Sequence, residues 1–264
     1  MNKMNLQKTI RYILSGYIFE RKAILKSLQQ PNEFIPSKNS YKLPRIAVYT
    51  VSTGGYDQIR EPEYIDAGMD YFVFTKSKMK PNSVWKVLDV GNRCDGMTAL
   101  EQSRFVKTHP QLYFHDYEIS IYIDANILIQ KDIRPLIYKM IDSKKTIAIH
   151  RHNCRDCIYH EARIVWAQKR AKFIDILKQI LSYKKEGFPS HYGLFENNII
   201  IRFHNDPKCV DIMETWWNEI ITKTKRDQLS FAYSLWKNNV NSDFVMSLGN
   251  CSRNSEYFSI VSHK

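Results

Sequence analysis

The sequence predicts an α/β domain in which a mostly parallel sheet is covered by helices. Short apolar runs alternate with helical stretches from Arg45 onward, and several of those runs lack polar alternation, the pattern of strands buried on both faces. The 264 residues are 44% hydrophobic and 25% charged, an ordinary globular composition with enough apolar matter for a sizeable core.

Residues 5–28 come first. Leu6, Ile10, Ile13, Leu14, Tyr17, Ile18, Ile24, Leu25 and Leu28 recur at spacings of three, four and seven, which places them in one stripe of a helix. Basic residues flank the stripe: residues 1–45 carry nine Lys and Arg against two acids, a large part of the formal net charge of +12. A helix docked on its own domain explains the stripe, and a basic amphipathic helix on an anionic membrane explains the stripe and the charge together. The expected organisation is an amphipathic helix over 1–30, a Pro/Asn/Ser/Lys-rich linker over 31–44 and one α/β domain over 45–264.

Within that domain, strands are expected at Ile46–Val51, Tyr71–Thr75, Val84–Val90, Ile119–Ile123, Thr146–Ile149 and Asn198–Arg202. Helices are expected over 97–108, 131–142, 160–183, 207–222 and 227–237. No apolar run reaches the roughly 20 residues that span a bilayer, and Lys8, Arg11, Ser15 and Gly16 interrupt the start, so a cytoplasmic chain is expected. Five cysteines, an odd and sparse set, suit thiols in a reducing compartment.

In open α/β sheets ligands bind beyond the carboxyl ends of the strands, so chemistry is sought just after each strand. The first strand runs into Thr50-Val-Ser-Thr-Gly54-Gly55-Tyr-Asp57. Paired glycines permit a tight turn and close approach of backbone N–H groups to an anion, although a plain strand-to-helix turn has the same composition. Arg104 and Lys107 then lie three apart on one face of a helix ending near His109-Pro110, where they meet either a phosphate or solvent.

Ile121-Tyr-Ile-Asp124-Ala-Asn126-Ile-Leu-Ile129 is the sharpest signal. An apolar strand delivers a carboxylate and, two residues on, an amide oxygen, a pair suited to a hard divalent cation that also takes diphosphate oxygens. Asp and Asn are also ordinary turn formers, and the neutral Asn126 holds a cation less tightly than a second carboxylate does.

Between His150 and Glu161, three His and two Cys crowd together, including Cys154-x-x-Cys157. A structural zinc is one reading, without the second, distant ligand pair of ordinary zinc modules. Arg155 and Glu161 equally suit a sugar or a phosphate. Further on, Glu196 and Asn197 open a strand that Arg202 and His204 close, and Arg226-Asp227-Gln228 opens a helix, where an acid is favoured in any case. Trp216, Trp217, Phe231, Tyr233 and Trp236 recur at helical spacing and read as core.

Taken in order, Tyr49-Thr50 with Gly54-Gly55-Tyr56-Asp57, Arg104-x-x-Lys107-x-His109-Pro110, Ile123-Asp124, His152-x-x-Arg155-x-Cys157-x-Tyr159-x-Glu161-Ala162, Gly193-x-x-Glu196 with Ile201-Arg202, Trp216-Trp217 and Arg226-Asp-Gln-Leu-Ser-Phe231 form a set. It resembles the glycosyltransferase-like domain shared by plant mucilage-related and bacterial polysaccharide-cluster proteins, over roughly residues 45–237. The resemblance implies a GT-A, Rossmann-like fold and transfer of a sugar from a nucleoside-diphosphate donor, a UDP-sugar, to a saccharide acceptor in surface polysaccharide or glycoconjugate synthesis. It implies a divalent cation, Mn2+ or Mg2+, held by Asp124, with Asn126 and the late His263 as further candidates. It places Thr50, Gly54, Gly55, Asp57, Arg104, Lys107 and Asp124 at the donor, and His152, Arg155, Glu161, Arg202 and Gln228 on the acceptor or sugar side. Asp227 is then the first candidate for the base that deprotonates an acceptor hydroxyl, and Glu196 the second. Asn126 departs from the common two-Asp pattern and leaves metal dependence open. The membrane-facing reading of the N-terminal helix would place the enzyme peripherally on the inner face of the membrane.

Two rivals differ in class. Tyr-Ile-Asp-Ala-Asn-Ile-Leu-Ile also resembles the opening strand of PIN-type ribonucleases, where Glu161 and Asp227 would complete an acidic metal cluster and basic charge would attract RNA. That strand begins a PIN domain, whereas here an α/β segment precedes it, so nucleic acid is not the expected partner. A catalytically silent sugar-nucleotide-binding protein is the second rival.

Overall fold

The computed structural model describes residues 35, 37, 42–55, 57–249 and 251–262. The expected N-terminal helix and most of the linker lie outside the described residues, as does His263. Among the described residues no helix is long and apolar enough to cross a membrane.

Seven strands form the main sheet: β1 (Ile46–Ser52), β2 (Met69–Thr75), β3 (Lys86–Leu88), β4 (Ile119–Ile123), β6 (Ile147–Arg151), β7 (Phe195–Arg202) and β8 (Val245–Ser247), in the order β3-β2-β1-β4-β7-β6-β8. β5 (Ile127–Ile129) pairs antiparallel with β9 (Phe258–Ile260) in a separate ribbon. The helices are α1 (Ala99–Thr108), α2 (Arg134–Asp142), α3 (Ile158–Ala167), α4 (Phe173–Glu186), α5 (Pro207–Thr222) and α6 (Phe231–Lys237).

β1 shows why the strands lack alternation. Ala47, Tyr49 and Val51 face one core with Val106 of α1, Trp216 of α5 and Phe231 of α6, whereas Ile46 and Val48 face another with Leu136, Ile137 and Met140 of α2 and Phe258 of β9. Both faces of the strand are therefore apolar and buried, each such side chain contributing about 1.5–3 kcal/mol.

β7 is the departure from a parallel sheet. It inserts antiparallel between β4 and β6, pairing Ile123 with Ile199 on one side and Ile147 with Arg202 on the other. At a bulge the pairing jumps from Ile149–Ile200 to His150–Glu196. Because β7 runs backwards, its first residues, Phe195 to Asn197, lie at the sheet edge where β4 and β6 end. That edge gathers the candidate residues.

Two helix expectations need correction, and the strand list is extended. The helix expected over 160–183 is two helices, α3 and α4, broken where Lys169 adopts a left-handed backbone (φ 54°) and Lys169 N and Arg170 N cap the carbonyls of Trp166 and Val165. No glycine or proline marks that break. The helix expected over 227–237 begins as a 3-10 turn, Asp227–Leu229, before α6. The strand expected at Ile119–Ile123 is present as β4, but the apolar run continues past a turn at Asp124 into a further strand, β5, and the three-residue β8 and β9 were not among the expected strands.

Candidate active site

α1 carries the centre of the site, and its start is fixed by a reciprocal cap. Thr98 N donates to Glu101 Oε2 at 2.8 Å, and Glu101 N donates to Thr98 Oγ1 at 3.3 Å. Glu101 also pairs with Lys225 at 2.7 Å, which ties the first turn of α1 to the segment entering Asp227. Phased by that cap, Arg104 and Lys107 project from one face of α1 onto Asp227: Lys107 Nζ lies 2.7 Å and Arg104 Nη1 3.2 Å from Asp227 Oδ2.

Asp124 joins the same cluster from the end of β4, its Oδ1 3.8 Å from Lys107 Nζ. The Asp124-Ala-Asn126-Ile127 turn, closed by Ile127 N donating to Asp124 O at 2.9 Å, delivers the carboxylate out of the strand. Tyr122 shares its face two residues earlier; its hydroxyl donates to Asp124 Oδ1 at 2.7 Å, and its ring centroid lies 4.8 Å from Lys107 Nζ. Trp216 covers the other side, 5.7 Å from that ammonium, and its indole N–H donates to Asp227 O at 2.9 Å. The sequence offered a signal for Tyr122, the period of two that puts it on the face of Asp124. It offered none separating Trp216 from the core aromatics.

Burial alone would raise the Asp227 carboxyl, but Arg104, Lys107 and Arg226 outweigh it and hold the group far below the usual carboxylate range. Asp227 is thus a fixed anion between two cations. Its neighbour Gln228 donates from Nε2 to Phe195 O at 3.3 Å, linking the turn to the first residue of β7.

Of the residues expected on the donor side after β1, Gly54 lies against the start of α1 and Asp57 lies near Asn126. Thr50 is buried with no hydrogen-bond partner for its hydroxyl among the described residues. Gly55 has φ +64°, and a Cβ on Gly54 would lie 3.1 Å from Ala99 Cβ, so the loop needs glycine to pass the start of α1. Asp57 and Asn126 line one shallow recess with Gln58, Arg60, Val261 and Ser262. Asn126 donates its Nδ2 to Val261 O at 3.2 Å, so its Oδ1 is the atom that could ligate a cation. Asp124 and Asn126 therefore offer oxygen donors on one turn, Asp124 being 36% exposed, and these fit a hard cation such as Mg2+ or Mn2+.

The acceptor-side candidates form a second group. Arg155 Nε pairs with buried Glu161 Oε2 at 2.6 Å, and Arg155 Nη2 donates to His152 Nε2 at 2.8 Å. Burial and Arg155, with Arg253, lower the His152 pKa to about 3, so the ring is a neutral acceptor. Glu196 is buried at the start of β7, where Ser252 N and Ser252 Oγ donate to its Oε2 at 2.8 and 2.6 Å. Arg202 lies below the site instead of in it: fully buried, its guanidinium donates to Tyr49 Oη and to the Lys107 carbonyl and supports α1 from beneath. Asp124 and Asp227 meet on Lys107, but among the described residues the three carboxylates of the ribonuclease reading, Asp124, Glu161 and Asp227, do not come close enough together to share one metal ion.

The family model described as the TOD1/MUCI70 glycosyltransferase-like domain matches residues 73–263. The chain belongs to this family. The TOD1/MUCI70 match spans the Arg104/Lys107, Asp124, Glu196 and Asp227 motifs but begins after Thr50 and Asp57. No curated protein matches the chain. Among solved structures, it is similar to the Mn/GDP form of core-mannan synthase A from Aspergillus fumigatus (7% identity, TM-score 0.48, covering 84% of this chain and 77% of that one). It is also similar to the mannosyltransferase Ktr4p from S. cerevisiae (7% identity, TM-score 0.45, 94% and 84% covered). A third is the bifunctional glycosyltransferase WbbM (13% identity, TM-score 0.46), of which 80% of this chain spans 40%.

Proposed function

We propose that this TOD1/MUCI70 domain transfers a sugar from a nucleoside-diphosphate donor, a UDP-sugar, to a saccharide acceptor. The observation that carries the reading is the convergence of Arg104, Lys107 and Asp124 beyond the carboxyl end of β4, beside the glycine loop after β1. A diphosphate leaving group needs fixed positive charge where its own charge builds, and in this reading Arg104 and Lys107, already held by Asp227, supply it. The buried Arg104 Nε has no hydrogen-bond partner among the described residues, a donor left over for an anion. A divalent cation at Asp124 and Asn126 supplies further neutralisation of the diphosphate when bound.

In this reading Asp227 is a positioning residue. Held at low basicity by two cations, it fixes where they point. Glu196 and the Arg155–Glu161 pair then flank the acceptor side. A thermal-shift series against nucleotide sugars, each with and without Mn2+, tests the assignment: a UDP-sugar should raise the melting temperature, more so with the cation. Absence of a shift with every nucleotide sugar would overturn it.

The polysaccharide setting and the peripheral position on the inner membrane face belong to the same proposal. α4 supports the second: Phe173, Ile174, Leu177 and Leu181 are exposed on it beside Lys172, Lys178, Lys184 and Lys185. Sedimentation with anionic vesicles, lost in Leu177→Glu/Leu181→Glu protein, is the expected result.

A further inference from the structure

Two loops meet on the acceptor-side rim, one leading from β6 into α3 and the other from α4 into β7. Gly193 N donates to Asp156 O at 2.8 Å and locks them together. At this junction Cys157, His160 and His191 bring one ligand atom each to within 4.8 Å of one another. Cys157 is buried at the N-cap of α3, His160 sits in its first turn, and both imidazoles are exposed above the thiol. The two rings stand at 82° with centroids 5.3 Å apart, so they do not stack.

Two further features point the same way. Asp156 Oδ1 lies 2.8 Å from His191 Nδ1, which orients the ring and leaves Nε2 for a metal. His191 also holds a left-handed backbone, φ 59°, uncommon for a residue with a Cβ. We infer that Cys157, His160 and His191 form a zinc site, with the fourth position open to water or an outside ligand and Asp156 fixing His191.

The donor chemistry selects the ion. One thiolate and two imidazoles suit zinc, whereas the oxygen donors at Asp124 and Asn126 suit Mg2+ or Mn2+. Tetrahedral zinc, with bonds of about 2.3 Å to sulfur and 2.0–2.1 Å to nitrogen, holds ligand atoms roughly 3.3–3.7 Å apart. Rotation of two exposed imidazoles achieves that closure. On binding, the Cys157 thiol releases its proton to solvent as the zinc–sulfur bond forms. Cys154, the other half of the Cys-x-x-Cys pair, is turned toward His152, its Sγ 3.8 Å from Nδ1. Zinc here would clip the loop carrying His152 and Arg155, and the first turn of α3 with Glu161, to the loop that leads into β7.

The test uses the full chain without a polyhistidine tag, stripped by chelator and then titrated with Zn2+, with Co2+ as a spectroscopic substitute. Wild-type protein should take up one zinc per chain and show a thiolate-to-cobalt charge-transfer band. Cys157→Ser should lose the band, His160→Gln and His191→Gln should each lower zinc affinity at least about 100-fold, and Asp156→Asn about 10- to 100-fold. Asp124→Asn should leave the stoichiometry at one. Circular dichroism of the metal-free proteins identifies any variant that fails to fold; the two exposed histidines carry the test should Cys157→Ser be one. No stoichiometric zinc in the wild type, or undiminished affinity in both histidine variants, overturns the inference.

Discussion

Lys107 and Asp227, 120 residues apart in the chain, meet at 2.7 Å with 1% and 8% of their side chains exposed. This buried contact joins α1 to the turn before α6 and holds Lys107 between Asp227 and Asp124, with Arg104 on the same Asp227 oxygen. A buried pair gives little net stability over an apolar replacement, but removing one partner strands the other.

Asp227→Ala should therefore destabilise the fold by about 3–5 kcal/mol, read as a lower urea midpoint with an unchanged slope. Turnover should fall as well, because Arg104 and Lys107 lose their anchor. Because the folded carboxyl is depressed, its stabilisation is present above the unfolded carboxylate pKa of about 3.9 and is lost as pH falls below that value. Wild-type stability in Asp227→Ala would show that the pair does not organise the site.

Three histidines, His150 and His204 buried and His152 half-buried, set a second acid response. Burial lowers His150 to about 3, His152 to about 3 and His204 to about 4. Unfolded, each binds a proton near pH 6.5, so the unfolded state holds more protons between about pH 4 and 6.5 and stability falls as pH drops through that window. The slope should approach about 1.4 kcal/mol per pH unit for each ring. His150, whose two ring nitrogens lack partners among the described residues, isolates one share: His150→Leu should reduce the slope in urea titrations at pH 4.5–6.5.

Asp124→Asn should abolish cation-dependent donor binding in calorimetry while keeping the melting temperature within a few degrees of wild type, since Asp124 is partly exposed. Asn126→Asp should retain transfer and tighten Mn2+ binding through the added charge. Full activity of the wild type in excess chelator would remove the cation from the reaction.

Gly54→Val should weaken donor binding, as its branched side chain meets Ala99 at the start of α1. Gly55→Ala, with open space but φ +64°, should cost about 1–2 kcal/mol of stability. Comparing their melting temperatures with their donor affinities separates crowding at the site from backbone strain.

The central strands and α1 were legible because each carries its own signal: unbroken apolar runs in β1 and β4, and Arg104 and Lys107 spaced one turn apart. The pairing of Arg104 and Lys107 with Asp227 was not, since nothing in a carboxylate at a turn announces cations 120 residues upstream. Arg202 shows the opposite difficulty. At the end of a strand it has the look of a binding residue, yet the reversed direction of β7 carries that end away from the site and into the core. Short strands such as β8 and β9 have too few residues to display a period, and the break at Lys169 carries no glycine or proline to announce it.

The order in which the sheet is assembled bears on how the protein emerges from the ribosome. β1, β2, β3 and β4 pair with one another and are all made within the first half of the chain, so that parallel layer has its partners early. The other layer waits. β6 gains its neighbours only with β7 and β8, β5 only with Phe258–Ile260, and Glu196 its hydrogen bonds only with Ser252. Until then β4 exposes an apolar open edge, a template for pairing with another nascent chain. Translation speed and chaperone supply over residues 124–260 should thus govern soluble yield more than any step in making the first 120 residues.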